Sequence, residues 1–267
     1  MGGFLYNGKS TKDILTDELL LETFDEGQIT IETNRNIVSG DVTISKPISN
    51  EYGTTYENLV IKYGLVKKNG NRFSDEEQQE IEKWLTAPKL STDLQLYDDQ
   101  YNNTEIYSGV FTNTKWYSLG EGWIGLMFEF TCNSAYGKRY FKQDFTISSS
   151  QTITIDNPSD ESEEYIYPTI TLLQSNSNQN IIIRNVSDNN SMNLKINKSS
   201  EVVIDCQHCI IKDTSGSISY SDLGWEDVGN IYWLRLLPGD NQLQIEGVSS
   251  ITIEFEYPCK KLGGWRL

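Results

Sequence analysis

The sequence predicts a mainly β protein with two domains, a β-sandwich that carries one α-helix followed by a second β-sandwich or jelly roll. Three observations support this prediction. Apolar and polar residues alternate with a period of two along most of the chain, which is typical of half-buried strands. Short strand-like segments follow one another at regular intervals, separated by turn-forming residues. A single segment shows the periodicity of a helix.

Two segments of the first domain illustrate the strand pattern. QITIET directs its isoleucines to one face and its threonines to the other. GWIGLMFEFTC is predicted to be a core strand, because its large apolar residues occupy alternate positions: Ile124, Leu126, Phe128 and Phe130.

The predicted helix is the segment SDEEQQEIEKWLTAP. Ser74 suits the N-cap, and Glu77 three residues later completes a capping box. Acidic residues in the first turn favour the positive end of the helix dipole. Pro88 marks the end of the helix. One apolar face, formed by residues three and four apart, is expected to cover the open side of a sheet: Ile81, Trp84 and Leu85.

The second domain is predicted from seven short segments of the same kind, YPTITLL, NIIIRNV, MNLKINK, EVVID, IYWLRLL, NQLQIEG and ITIEFEYP. Turn-forming residues at 188–190 and 238–240 separate some of them. The boundary is expected between Cys132 and Ile155, where a polar, serine-rich run follows a strong strand. We therefore assign residues 1–138 to the first domain and 139–267 to the second.

The net charge of −16 makes the protein unsuited to binding nucleic acid backbones. No apolar run of membrane-spanning length occurs, and the first residues do not resemble a secretory signal. The four cysteines, in so long a chain, do not form a disulfide framework and are expected to be reduced thiols: Cys132, Cys206, Cys209 and Cys259.

The single histidine, His208, excludes catalytic and zinc sites that need two histidines. Phosphate-binding glycine loops are also missing from the sequence. The acidic segment SDESEE at 159–164 lacks the ligand pattern of a calcium loop and is expected to be a solvated loop.

The segment VVIDCQHCIIK, in which Cys206 and Cys209 flank His208, admits three interpretations. A zinc clip needs two further ligands, and Cys132 and Cys259 are single and distant in sequence. A redox pair needs a helix N-terminus, whereas the flanking segments have the pattern of strands. A hairpin, with EVVID and CIIKD as its two strands, is the favoured interpretation.

Five segments, in order along the chain, carry a further pattern: FLYNGKSTKDI, EEQQEIEKWL, GWIGLMFEFTCNSAYG, NPSDESEEYIYPTITL and LRLLPGDNQLQIEG. They resemble the distal tail protein (Dit) family of siphophages, whose long tails do not contract. The matching residues are Phe4, Tyr6, Asn7, Gly8, Trp84, Leu85, Phe128, Phe130, Cys132, Asn157, Tyr167, Pro168, Pro238, Gly239 and Asn241.

This resemblance implies an N-terminal β-sandwich with one helix and a C-terminal galectin-like β-sandwich. It also implies a homohexameric ring, formed chiefly by the N-terminal domains, at the tail tip of the virion. The implied partners are the major tail tube protein on one side and the tail-associated lysin or tail fibre protein on the other. The protein would be made in the bacterial host cytoplasm. DNA would pass through the ring without specific binding, and a negative lumen would let it slide.

The galectin-like fold raises carbohydrate binding as the alternative function. CIIK follows His208, so the Asn and Arg of the galectin sugar site are missing at the needed spacing. A sugar site would need another aromatic platform, near Trp225 or Trp233, although large aromatics more often belong to a core or an interface. We therefore predict a structural tail-tip protein that is not an enzyme and has no cofactor or metal. The alternatives are a module that binds a bacterial surface glycan and, with fewer supporting residues, a zinc or thiol enzyme.

Overall fold

A computed structural model describes residues 2–22, 30–32, 34–40, 50–98, 105–174, 180–195, 201–213 and 232–260. The chain divides into two compact units with a boundary between Lys138 and Arg139. The second unit ends at Cys259, and Lys260 groups with the first unit. Antiparallel strands dominate both units, and the described residues contain one α-helix, so the predicted mainly β fold is confirmed.

The elements of the first unit are β1 (Gly2–Tyr6), β2 (Lys9–Ser10), β3 (Leu19–Glu22), β4 (Thr30–Glu32), β5 (Arg35–Ser39), β6 (Glu51–Tyr56), β7 (Val60–Lys67), α1 (Asp75–Thr86), β8 (Thr92–Asp98), β9 (Ile106–Leu119), β10 (Gly122–Cys132) and the start of β11 (Gly137–Thr146). The main sheet has the order β3-β7-β10-β9-β8-β1-β2, and β4 also pairs with β7. Strands β5 and β6 form a separate two-stranded sheet. Of the predicted strand QITIET, residues 28, 29 and 33 lie outside the described residues.

Strand β10 supplies one wall of the core of this unit. Leu126, Phe128 and Phe130 are buried, as their alternation predicts. Ile124 is only half-buried, because the pairing of β10 with β9 shifts register between Trp123 and Gly125. Such a β-bulge inserts an unpaired residue and interrupts the alternation of faces, which sequence periodicity alone did not predict.

Helix α1 matches its prediction closely. The Ser74 side chain accepts a hydrogen bond from the Glu77 N–H at 3.3 Å, and the Glu77 carboxylate accepts one from the Ser74 N–H at 2.7 Å. Ile81, Trp84 and Leu85 form the buried face. The capping box therefore fixes the start of the helix, and the apolar face fixes its rotation against the core.

The second unit contains the remainder of β11, β12 (Gln151–Asn157), β13 (Thr169–Gln174), β14 (Asn180–Asn185), β15 (Asn190–Lys195), β16 (Glu201–Asp205), β17 (Ile210–Asp213), β18 (Gly239–Glu246) and β19 (Val248–Cys259). One sheet has the order β12-β18-β14-β15, and the other runs β17-β16-β13-β19 and then β11. Apolar side chains from both sheets meet in one core, which makes this unit a β-sandwich.

One predicted strand of this unit is wrong. In IYWLRLL, Leu234 and Leu236 are buried, as in a strand, but within the described part of the unit residues 232–237 show no strand pairing beyond an isolated bridge between Ile166 and Leu236. Asparagine side chains take the place of a neighbouring strand. Asn185 donates to the carbonyl of Arg235 at 2.9 Å. The buried backbone is thus hydrogen-bonded without belonging to a sheet.

Candidate functional site

The segment that holds the single histidine forms a β-hairpin. Strands β16 and β17 pair in antiparallel register, and the residues from Cys206 to Cys209 form the turn between them. Asp205 accepts two hydrogen bonds from His208, one from its N–H at 3.0 Å and one involving Nδ1 at 2.8 Å. The histidine therefore helps to close the turn, and the predicted hairpin is confirmed.

The two cysteines of this turn have different environments. Cys206 is buried, and burial raises the pKa of its thiol to about 12, whereas Cys209 is exposed. Cys132 is also buried, and its pKa is likewise raised to about 12 by desolvation. Because the thiolate is the form that ligates zinc and attacks electrophiles, Cys132 and Cys206 are poorly suited to either chemistry. Within the described ranges, no group of three or more His, Cys, Asp or Glu residues could hold a metal ion.

The N-terminal residues of the family pattern form a turn and part of an aromatic core. Asn7 and Gly8 have φ angles of 50° and 72°, the left-handed values that a two-residue type I′ hairpin between β1 and β2 requires. Phe4 and Tyr6 on β1 are fully buried. Phe4 stacks on Trp84 of α1 at a ring distance of 5.1 Å and an interplanar angle of 3°.

Trp84 joins the helix to this first strand. Its Nε1–H donates to the carbonyl of Tyr6 at 3.1 Å, which satisfies a buried polar group while the indole packs in the core. Apart from Asn7 and Gly8, the pattern residues of the first unit belong to this one core cluster: Phe4, Tyr6, Trp84, Leu85, Phe128, Phe130 and Cys132. They stabilise the unit and are not exposed to a ligand.

In the second unit, two pattern residues belong to a cluster of buried asparagines. Asn241 donates to the carbonyls of Leu237 and Gly239 at 2.7 and 2.8 Å, and its Oδ1 accepts from the Leu237 N–H at 2.8 Å. Asn157 donates to the Leu237 carbonyl at 3.2 Å. Together these side chains hold the bend around Pro238, where Gly239 has a φ of 79°.

The third member, Asn185, was not recognised in the sequence. Its Nδ2 donates to Asn241 Oδ1 at 3.0 Å, and its Oδ1 accepts from the Ser187 N–H at 3.1 Å. The available signal was an Asn that ends an apolar run and precedes a turn, a position typical of Asx-turns.

Beside this cluster lies an ion pair that sequence analysis also missed. Asp188 accepts from Arg235 at 2.9 Å (Nε) and 3.0 Å (Nη2), and also from the Tyr232 hydroxyl. The Arg235 hydrogen bonds are the main reason that the pKa of Asp188 falls to about 2. Arg235 lies 4.0 Å from the ring centroid of Tyr165, so the ion pair extends to an aromatic side chain at the surface.

Of the two remaining pattern residues, one is buried and the other lines a cleft. Pro168 is buried, and its carbonyl accepts from the Cys206 N–H at 3.2 Å. Tyr167 is exposed and lines a cleft of about 470 Å³ within the second unit. Trp233, considered as a sugar platform, instead packs against the core of this unit. Trp225 lies outside the described residues.

The two-stranded sheet of β5 and β6 is largely exposed among the described elements of the first unit. Its side chains Ile37, Val38 and Tyr52 are between 42% and 69% exposed. Ile37 and Val38 are consecutive in a strand, so they project from opposite faces. Neither face is therefore covered by the described part of the chain.

Comparison with known proteins follows the division into two units. A family model described as a phage tail protein N-terminal domain matches residues 2–134, and one described as a phage tail C-terminal domain matches residues 135–257. No curated protein sequence matches the chain. None of the helices in the described ranges has the length and apolar character needed to span a membrane.

The chain is similar to the crystal structure of the Dit protein of phage SPP1, described as a paradigm of the hub adsorption apparatus in phages that infect Gram-positive bacteria. The TM-score is 0.61 at 13% identity, over 96% of this chain and 99% of that chain. It is also similar to a chain of the phage P2 baseplate in its activated conformation with Ca, with a TM-score of 0.52 at 9% identity over 98% and 99% of the two chains. Because the two family models account for nearly the whole sequence, the chain belongs to the phage tail protein family that they describe, and it has the fold of a distal tail protein.

Proposed function

We propose that the protein is the hub of a siphophage tail tip, where six copies close into a ring through which DNA passes. Membership of a phage tail family supports this function, as does similarity over nearly the full length to a protein of a hub adsorption apparatus. The proposed partners are the major tail tube protein on one side of the ring and the tail-associated lysin or tail fibre protein on the other. The protein is then a component of the virion, made in the host cytoplasm.

The observation that carries the ring is the exposed sheet of β5 and β6. A two-stranded sheet is marginally stable by itself, and large apolar side chains exposed together on a strand pair usually mark an interface. The sheet exposes Ile37 on one face and Val38 on the other, and the face with Ile37 is the proposed contact surface. If it packs on a different surface of the next copy, the contact is head-to-tail, and head-to-tail contacts generate closed rings when the rotation between copies permits.

A charge placed in this surface tests the ring. We expect six-fold rings of the wild-type protein in negative-stain images and the corresponding mass by light scattering. Ile37→Asp should give monomers, because it would bury an unpaired carboxylate in the contact. Leu90→Asp is the matched control, since Leu90 is 82% exposed and lies outside β5 and β6. A wild-type protein that stays monomeric at high concentration, or a ring that survives Ile37→Asp, contradicts this proposal.

DNA passage is consistent with the net charge of −16, because a negative wall repels phosphates. The protein should not retard duplex DNA in a gel, even at low salt. A density map of the assembled ring provides the sharper test, and a basic inner wall would contradict free passage.

The proposed role includes no catalysis. The most perturbed acidic group described above, Asp188, is held in an ion pair, and Cys132 and Cys206 are buried thiols whose pKa is raised. These perturbations have structural causes, whereas catalytic groups with perturbed pKa values usually lie in a cleft beside their substrate.

A further inference from the structure

The second unit contains an open cleft lined by aromatic and acidic side chains. Its volume of about 470 Å³ lies within the range of small-molecule sites. The residues that matter here are Tyr140, Glu164, Tyr165, Tyr167, Glu254 and Glu256. We propose that this cleft binds a saccharide built of pyranose rings that carry amino groups.

Three tyrosines give the cleft its aromatic character. Tyr140, Tyr165 and Tyr167 are each between 40% and 53% exposed. Tyr165 and Tyr167 are two positions apart in an extended segment, so they project to the same side. Tyrosine combines a flat apolar ring with a polar hydroxyl. The C–H face of a pyranose can pack on such a ring while its hydroxyl groups bond to the polar lining.

The Tyr165 ring is fixed before any ligand arrives. Arg235 lies over it at 4.0 Å, and the Asp188 carboxylate holds Arg235 through two hydrogen bonds. Arg235 itself is not among the described residues that line the cleft. An aromatic side chain held by an ion pair loses little freedom on binding, which favours affinity.

Tyr140 is held in a similar way. Its hydroxyl hydrogen-bonds to Glu254, which raises the pKa of Tyr140 to about 12, and so the phenol stays protonated. Lys142 Nζ lies 3.3 Å from the same Glu254 oxygen. Glu254 thus orients one tyrosine at the edge of the cleft.

The charge of the lining selects the ligand class. Glu164 and Glu256 line the cleft together with Glu254, whose charge is partly balanced by Lys142, and the described lining residues include no Lys or Arg. Carboxylates accept hydrogen bonds from hydroxyl and ammonium groups and repel phosphate and carboxylate groups. The lining therefore favours amino sugars and disfavours anionic glycans.

Several aromatic rings along one cleft also favour a saccharide over a basic peptide. A lysine side chain needs a carboxylate or the face of one ring. Three tyrosine rings that line one cleft offer separate packing surfaces for the successive rings of an oligosaccharide. The basic peptide is therefore the competing outcome in the experiment.

The test is calorimetric titration of the full chain with four probes at about pH 6, where an amine is protonated. The probes are the trimers of glucosamine, N-acetylglucosamine and galacturonic acid, and trilysine. The glucosamine trimer should bind at least about tenfold more tightly than its acetylated form, since acetylation removes the ammonium groups. The galacturonic acid trimer should not bind.

Variants then locate the site. Tyr167→Ala should weaken binding of the glucosamine trimer at least about tenfold, as expected for a lost aromatic platform. Tyr117 is an exposed tyrosine of the first unit, and Tyr117→Ala should leave binding of the glucosamine trimer unchanged. Glu164→Gln keeps the shape of the side chain and removes its negative charge. It should therefore reduce the preference for the glucosamine trimer over the acetylated trimer.

Three results would overturn the proposal: wild-type protein that does not bind the glucosamine trimer, a Tyr167→Ala variant that binds it normally, or trilysine that binds as tightly as the saccharide. The inference is independent of the ring. Negative-stain images of Tyr167→Ala should still show rings. Loss of saccharide binding in a variant that forms rings is then a failure of the saccharide site and not of assembly.

Discussion

Replacing Asn241 with leucine is expected to destabilise the second unit by about 3–5 kcal/mol. Leucine has the same number and branching of side-chain heavy atoms as asparagine, so the change removes the hydrogen bonds while keeping the outline of the side chain. Asn241 is fully buried and makes four, with the Leu237 carbonyl (2.7 Å), the Gly239 carbonyl (2.8 Å), the Leu237 N–H (2.8 Å) and Asn185 Nδ2 (3.0 Å). At about 1 kcal/mol net for each bond, the loss is about 4 kcal/mol, and buried groups left without partners would increase it.

Hydrogen–deuterium exchange followed by mass spectrometry is the suitable assay, because it reports each unit of the chain separately. Peptides from β14 and β18 should exchange much faster in Asn241→Leu, while peptides from the first unit should not change. Asn193→Leu is the matched control, since Asn193 is exposed on β15 and its loss should cost less than about 0.5 kcal/mol. A loss below about 1 kcal/mol for Asn241→Leu, or equal losses for the two variants, would refute the role given to the asparagine cluster.

Three further outcomes are expected. Ser74→Ala should lower stability by about 1 kcal/mol in thermal unfolding, whereas Ser74→Asp, which keeps a capping oxygen, should not. Mass-spectrometric mapping of thiol labelling should find Cys209 modified quickly and Cys206 only after unfolding, because burial raises the pKa of Cys206 to about 12; equal rates would contradict this. The pKa of Asp188, lowered to about 2 by Arg235, lies below its unfolded value, so its stabilising effect is present above about pH 4 and lost as the pH falls towards 2. The free energy of unfolding, measured in urea, should therefore fall less for Asp188→Asn than for the wild type as the pH is lowered from about 4 to about 2. An equal fall for the two proteins would contradict a stabilising role of the Asp188–Arg235 ion pair.

Local sequence signals predicted those elements whose determinants lie close together in the chain. Helix α1 is the clearest case, because its N-cap, the acidic residues of its first turn and its apolar face all lie within residues 74–86. The hairpin of β16 and β17 was predicted for the same reason. Its turn is closed by Asp205 and His208, only three positions apart.

Periodicity failed where another part of the chain alters the backbone. Residues 232–237 alternate as a strand does, but the distant side chains of Asn157 and Asn185 and an isolated bridge to Ile166 bond their backbone in place of a neighbouring strand. Ile124 has the pattern of a core residue, but the bulge opposite β9 interrupts the alternation there. In both cases the deciding partner is not encoded within the segment itself.

The sequence by itself determined a mainly β chain with one helix, the hairpin around His208, and many of the side chains that fill the cores, because the period of apolar residues and the chemistry of turns are local properties. Only the tertiary structure brought Asn157, Asn185 and Asn241 into one cluster and arranged the tyrosine-lined cleft. These groups come from strands distant in sequence. Which strands become neighbours is set by the packing of the whole sheet, a non-local property that no single segment encodes.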